Sequence, residues 1–226
     1  MNKNILRISF GLYALFYIIT SLSNITYFFD NIRQIRDFNS LLHIDDLQKL
    51  SYKLLISTGI NNLVLIFTGL LLLVFVGYLV FFSGKKFNKI GIIVIGLVYC
   101  ITYGALNIIE GLIAEYFMFF VYGIVYTLPV LIYLIILIIK EEKQHIGLFI
   151  LAGFSAIFCL SSLISMGQWF VVLIFHHMIS YMSIISLIGG FMLRASSLIK
   201  EILLLVMYVI LAIESAKYYG AKKEIV

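Results

Sequence analysis

From Ile146 to Leu193 the chain contains no Lys, Arg, Asp or Glu. A water-soluble domain cannot absorb such a run, because each of its helices must show a polar face to solvent. An α-helix needs about 20 residues to cross the roughly 30 Å hydrocarbon core of a bilayer. The run therefore reads as two successive membrane spans, with a turn expected near Ser165, Met166, Gly167, Gln168 and Trp169.

The remaining sequence has the same character. Hydrophobic residues make up 63% of the chain and charged residues 12%, about half the charged share with which a soluble domain covers its surface. In lipid the backbone satisfies its hydrogen bonds only within helices or closed barrels. Barrel strands alternate polar and apolar over about ten residues, whereas these apolar runs are continuous and longer. The sequence predicts an all-α integral membrane protein, a polytopic bundle of six or seven transmembrane helices forming a single domain over residues 1–226. Spans are expected at about 8–29, 54–84, 90–109, 116–139, 146–165, 169–193 and 200–216, with a polar extracytoplasmic loop over 30–53. The last uncharged run, between Glu201 and Glu214, is short. It is apolar on all sides, which favours a seventh span over an interfacial helix.

A net charge of +5 does not indicate nucleic-acid binding, because the basic residues stand at the ends of apolar runs. There they act as interface anchors and orientation signals. With a cytoplasmic N-terminus, the inner segments carry Lys3, Arg7, Lys85, Lys86, Lys89, Lys140, Lys143, Arg194 and Lys200. The outer turns near Glu110–Glu115 and near Gly167 carry none. Lys217, Lys222 and Lys223 return to the cytoplasm only if the last helix does not add a crossing. This pattern fits the cell membrane of a bacterium. The N-terminus resembles a signal peptide up to Ser21-Leu22-Ser23, but the apolar run continues through Tyr27 to Phe29, so the first span is expected to be retained. Cys100 and Cys159 lie within apolar runs and read as small residues that fill space between helices.

Positions three, four or seven apart share a helix face. On that rule Tyr13, Tyr17, Thr20, Asn24 and Tyr27 align in the first span, and Ser57, Asn61 and Thr68 in the second. Tyr99, Tyr103, Asn107 and Glu110 align in the third, and Tyr122, Tyr126, Pro129 and Tyr133 in the fourth. His176, Ser180, Ser183 and Ser186 align in the sixth. Two readings compete: stripes of this kind let membrane helices associate closely, or they face one another across a polar cavity. The cavity reading selects Glu110, Glu115, His176, His177, Tyr103, Asn107, Tyr126 and Asn24 as candidate substrate-binding residues. Adjacent histidines point about 100° apart, so His176 and His177 do not chelate one ion unaided, and no metal site is assigned. Ala152, Ser155, Cys159 and Ser162 read as a stripe for helix association alone.

Enzyme signatures are missing. There is no HExxH, no P-loop and no glycine-rich dinucleotide fingerprint. Gly153-Phe154-Ser155-Ala156 lacks the second glycine of a nucleophile elbow. No cofactor is indicated. The expected partners are the lipid bilayer, a small solute or ion, or another membrane protein, and not nucleic acid. The first functional expectation is a small transporter or permease subunit. The alternative is a non-catalytic accessory, immunity or assembly factor. An intramembrane enzyme using His176 or His177 ranks last.

Overall fold

A computed structural model of the chain describes residues 3–41, 45–82, 88–114, 117–175 and 184–223. The described residues form six long α-helices: α1 (Lys3–Leu41), α2 (Asp45–Phe82), α3 (Asn88–Ala114), α4 (Met118–Ile139), α5 (Gln144–Phe175) and α6 (Ile184–Lys223). A single 3₁₀ turn, Glu141–Lys143, joins α4 to α5.

Side-chain contacts fix the order of the helices and show each pair running antiparallel. Phe10 on α1 meets Phe81 on α2 edge-on, and Tyr78 on α2 covers Gly91 on α3. Asn107 on α3 lies against Gly123 on α4, and Tyr133 on α4 against Gly147 on α5. Trp169 on α5 touches Phe191 on α6. The Thr20 and Ser196 hydroxyls, 3.0 Å apart, join α1 to α6. The bundle is therefore an up-and-down ring in which the last helix returns to the first. Both termini belong to the same end, called here the near end. Glu141 stands at that end, its carboxylate 3.5 Å from Lys89 Nζ and accepting a hydrogen bond from the Tyr219 hydroxyl at 3.1 Å.

The polarity of the ring is that of a protein in lipid. On α1, Ile8, Leu12, Leu15 and Leu22 face outward and exposed, while Leu6, Tyr13, Tyr17 and Thr20 are buried. The outermost apolar side chains, such as Ile101 at 68% exposed and Leu63 at 68%, have no polar screen. A soluble monomer rarely leaves apolar patches of more than a few hundred Å² open to water. Among the described residues, five helical stretches are long and apolar enough to cross a membrane: Asn4–Thr26, Asn62–Phe82, Lys89–Ile109, Glu141–Val171 and Gly190–Gly220. A shorter apolar helix, Gly123–Ile139, completes the ring.

Three sequence expectations change. The polar stretch 30–53, expected as a loop, is helical on both sides of residues 42–44, as α1 and α2 run on past the apolar part of the bundle. The turn expected at Ser165–Trp169 is interior to α5. A lone glycine costs a helix only about 1 kcal/mol, and no proline interrupts this one. Finally, residues 184–223 form one helix, so no break separates residues 193 and 200, while residues 176–183 of the span expected at 169–193 lie outside the described residues. Arg194 and Lys200 are not at a helix end but inside α6.

The near half of the ring is closed by a dense core. Phe75, Val76, Tyr133, Leu134, Leu137 and Met207 are almost wholly inaccessible, and Tyr13, Tyr208 and Leu211 fill the space between them.

Candidate functional site

In the half of the ring away from the termini, the six helices line a half-open cavity of about 440 Å³. Helix α6 brings the charged groups. Arg194, Ser197 and Glu201 follow one another at helical spacing on its inner face, and Lys200 joins them from the flank. Helix α1 contributes Tyr17, Thr20, Ser21 and Asn24, and α5 contributes Ser161, Ser162 and Ser165. Tyr99 and Tyr103 on α3, Tyr126 on α4 and Phe158 on α5 form an aromatic wall. Within that wall Tyr126 stacks flat on Phe158, with centroids 4.4 Å apart and planes 4° from parallel. Tyr103 lies tilted against Tyr126 at 5.5 Å.

Much of the polar lining is held by the protein itself. Tyr17 donates its hydroxyl hydrogen bond to the Ile66 carbonyl, and its ring crosses α2 where Gly69 has no side chain. A Cβ there would stand 2.5 Å from Tyr17 Cε2. Thr68 donates to the Val64 carbonyl at 2.6 Å, the back-bonding by which helical threonines satisfy their hydroxyls. Arg194 Nη1 donates to the Gly190 carbonyl at 3.2 Å, and its guanidinium lies 5.3 Å from the centroid of Trp169. Arginine over an indole face gains cation–π attraction that grows as water is excluded. Trp169 in turn rests on the bare backbone at Gly190.

Glu201 is the lowest charged group of the cavity. Its Oε1 lies 3.8 Å from Lys200 Nζ, and the two side chains are only 14% and 20% exposed. Counting 1.5 Å per residue along α6, Glu201 stands about 27 Å from Tyr219 at the near end. This carboxylate also borders a second, narrow void of about 50 Å³ that extends toward the core past Leu204 and Tyr208. Ionisable residues at such depth are costly and normally line an aqueous or substrate path.

Among the residues expected from the sequence, Asn24, Tyr103 and Tyr126 line this cavity. Asn107 does not. It is buried against Gly123, and its Nδ2 donates to the Tyr103 carbonyl at 2.8 Å, an association role. The Glu110 side chain, Glu115, His176 and His177 lie outside the described residues. Ser162, read as purely structural, lines the cavity, while its stripe partners Ala152 and Ser155 are buried between helices. Sequence reasoning assigned Arg194, Lys200 and Glu201 to the membrane boundary. The signal that would have found them is the spacing of seven from Arg194 through Glu201 and Tyr208 to Ser215, which marks a single polar line along one helix.

Among the described residues no group of three or more His, Cys, Asp or Glu side chains is placed to hold a metal ion. The arrangement offers charge recognition, hydroxyl hydrogen bonding and aromatic contact within one half-open cavity. No protein-family model, no curated protein and no solved structure matches the chain.

Proposed function

We propose that this multi-pass membrane protein is a small transporter or permease subunit that binds a polar solute or ion in the cavity between its helices. The observation that carries this reading is the cluster of Arg194, Lys200 and Glu201 inside a ring whose outer surface is apolar. A protein that served only as a scaffold for a partner would gain nothing from holding three charges away from water, each of which costs free energy at that depth. The volume suits a metabolite, since ligand sites of about 300–1,000 Å³ are typical.

Six crossings of the cell membrane with both termini in the cytoplasm fit the charge pattern best. Lys89, Lys140, Lys143 and Lys217 gather at the near end with Lys3 and Arg7. With Arg194 and Lys200 withdrawn into the cavity, the helix connections at the other end retain mixed charge in the α1–α2 extension and no basic residue elsewhere. Basic residues concentrate on the cytoplasmic side of membrane proteins. The cavity then faces the outside.

The test is a thermal-shift screen of the detergent-purified protein against ions, amino acids, sugars, nucleosides and vitamins, followed by uptake of any hit into proteoliposomes. A solute at one hundred times its Kd stabilises by about 2.7 kcal/mol. The expected result is a stabilising solute that enters the vesicles. Silence across the screen, together with a membrane protein retained through purification from native membranes, would replace this reading with the accessory, immunity or assembly role.

A further inference from the structure

We infer that the solute held in this cavity is a neutral polyhydroxylated molecule, a monosaccharide or a polyol of similar size. This rests on the cavity being a binding site, as proposed above, and adds the chemistry of its occupant.

The hydrogen-bonding groups of the lining fall into two sets. Tyr17, Thr20 and Thr68 are occupied, since each donates to a backbone carbonyl of the protein. Asn24, Ser161, Ser162, Ser165 and Ser197 line the same cavity without a hydrogen bond to another side chain or carbonyl among the described residues. Helical serines can turn their hydroxyl back onto a carbonyl of the preceding turn, and these do not. None of them is buried, so each stays open to water or to a solute.

Their placement is regular. Phe158, Ser161, Ser162 and Ser165 follow the three-, four- and seven-residue spacing of a single face of α5. Tyr17, Ser21 and Asn24 do the same on α1, and Ser197 lies between Arg194 and Glu201 on the inner face of α6. Open groups therefore reach the cavity from three helices. A serine hydroxyl and a carboxamide both donate and accept, which matches a ligand hydroxyl, itself donor and acceptor. At the floor Glu201 adds a carboxylate, and hydrogen bonds to a charged acceptor are about twice as strong as neutral ones.

The aromatic wall supplies the other half of the fit. Phe158 lines the cavity, and its ring is fixed by flat stacking on Tyr126. A pyranose carries its hydroxyls around a rim and shows C–H groups on its faces. It can therefore set one face against an aromatic wall while its rim meets the serines and Asn24. Recognition of this kind does not depend on the net charge of the lining. A site built to hydrogen-bond hydroxyls rejects the analogue that lacks them, so a ring of the same size with a single hydroxyl should not compete.

The experiment measures equilibrium binding of radiolabelled D-glucose, D-galactose, D-mannose and myo-inositol to the purified full-length protein in detergent. Direct binding avoids the general stabilisation that excluded sugars give to any protein. The expected result is saturable binding of at least one of them, displaced by its unlabelled form and not by cyclohexanol. The triple variant Ser161→Ala, Ser162→Ala, Ser165→Ala lowers that affinity about 10-fold or more. Alanine is the best helix former, so this variant keeps its fold, and an unchanged unfolding temperature without sugar checks that it does. Ser197→Ala removes one hydroxyl from another helix and weakens the same binding about 5-fold. If none of the labelled compounds binds, or if binding is the same in both variants as in the parent, the polyhydroxylated assignment is overturned. A hit from another chemical class in the broad screen would then leave the binding cavity standing. If the broad screen is silent as well, both this inference and the transporter reading fall.

Discussion

Glu201 and Lys200 are neighbours in sequence, so their side chains leave α6 about 100° apart and meet only by folding toward each other over the cavity. Each makes the other tolerable at that depth. Removing one partner of a buried pair leaves a charge without compensation, and in dry interiors this costs about 3–5 kcal/mol. These side chains retain some exposure, at 14% and 20%, so hydration within the cavity reduces the penalty. Glu201→Gln is expected to destabilise the protein by about 1–3 kcal/mol, and Lys200→Gln by a similar amount. The double substitution should recover most of the loss. Chemical denaturation of the four proteins in one detergent checks this, and additive losses in the double variant would show that the two groups do not interact. Neither residue was legible as a cavity group from composition. A charge beside an apolar run has two readings, an anchor at the interface or a site inside, and only the continuation of the helix on both sides decides between them.

At the scale of the element, α5 and α6 explain why the outer polarity was readable and the boundaries were not. Apolar runs report where lipid-facing surface lies. They do not report where a helix stops, because Ser, Gln and a single Gly are all compatible with helix at small cost. Gly167 stands inside α5 with nothing within 4 Å of where a Cβ would be, so its absent side chain serves no close approach. Gly167→Ala is therefore expected to stabilise by up to about 1 kcal/mol. Gly167→Pro removes an interior helical hydrogen bond and should cost about 3 kcal/mol or more. A turn at this position would give the reverse pattern, with proline accepted and alanine unfavourable. Thermal unfolding of both variants distinguishes the two cases. The same logic covers residues 30–53. Their charges argued for a loop, but charged residues extend a helix into water as readily as apolar ones carry it through lipid, and α1 and α2 do so on either side of residues 42–44.

For the whole molecule, the six antiparallel helices of the described residues have a consequence that no single element carries: the start of α1 and the end of α6 lie on one face. A ring closed by α6 against α1 through Thr20 and Ser196 also needs every helix to line the centre. This is why a cavity built from widely separated residues is invisible to local spacing rules. The stripes on α1 and α3 were visible because tyrosine and asparagine stand out against leucine. The opposing face of α6 was not, because its charges had been assigned to a boundary. Sidedness is the property that tests the architecture as a unit. In a background carrying Cys100→Ser and Cys159→Ala, single cysteines at Lys3, Lys217 and Ser165 can be probed with a membrane-impermeant thiol reagent on intact and on opened cells. Six crossings with a cavity facing outward predict that Ser165→Cys reacts in intact cells, while Lys3→Cys and Lys217→Cys react only once the membrane is opened. Reaction at Lys217 alone in intact cells would mean an odd number of crossings, and α6 would no longer be one continuous span. Reaction at both termini, with Ser165 protected, would keep the ring but turn it over, so that the Arg194–Lys200–Glu201 cluster faces the cytoplasm and the solute is one the cell already holds.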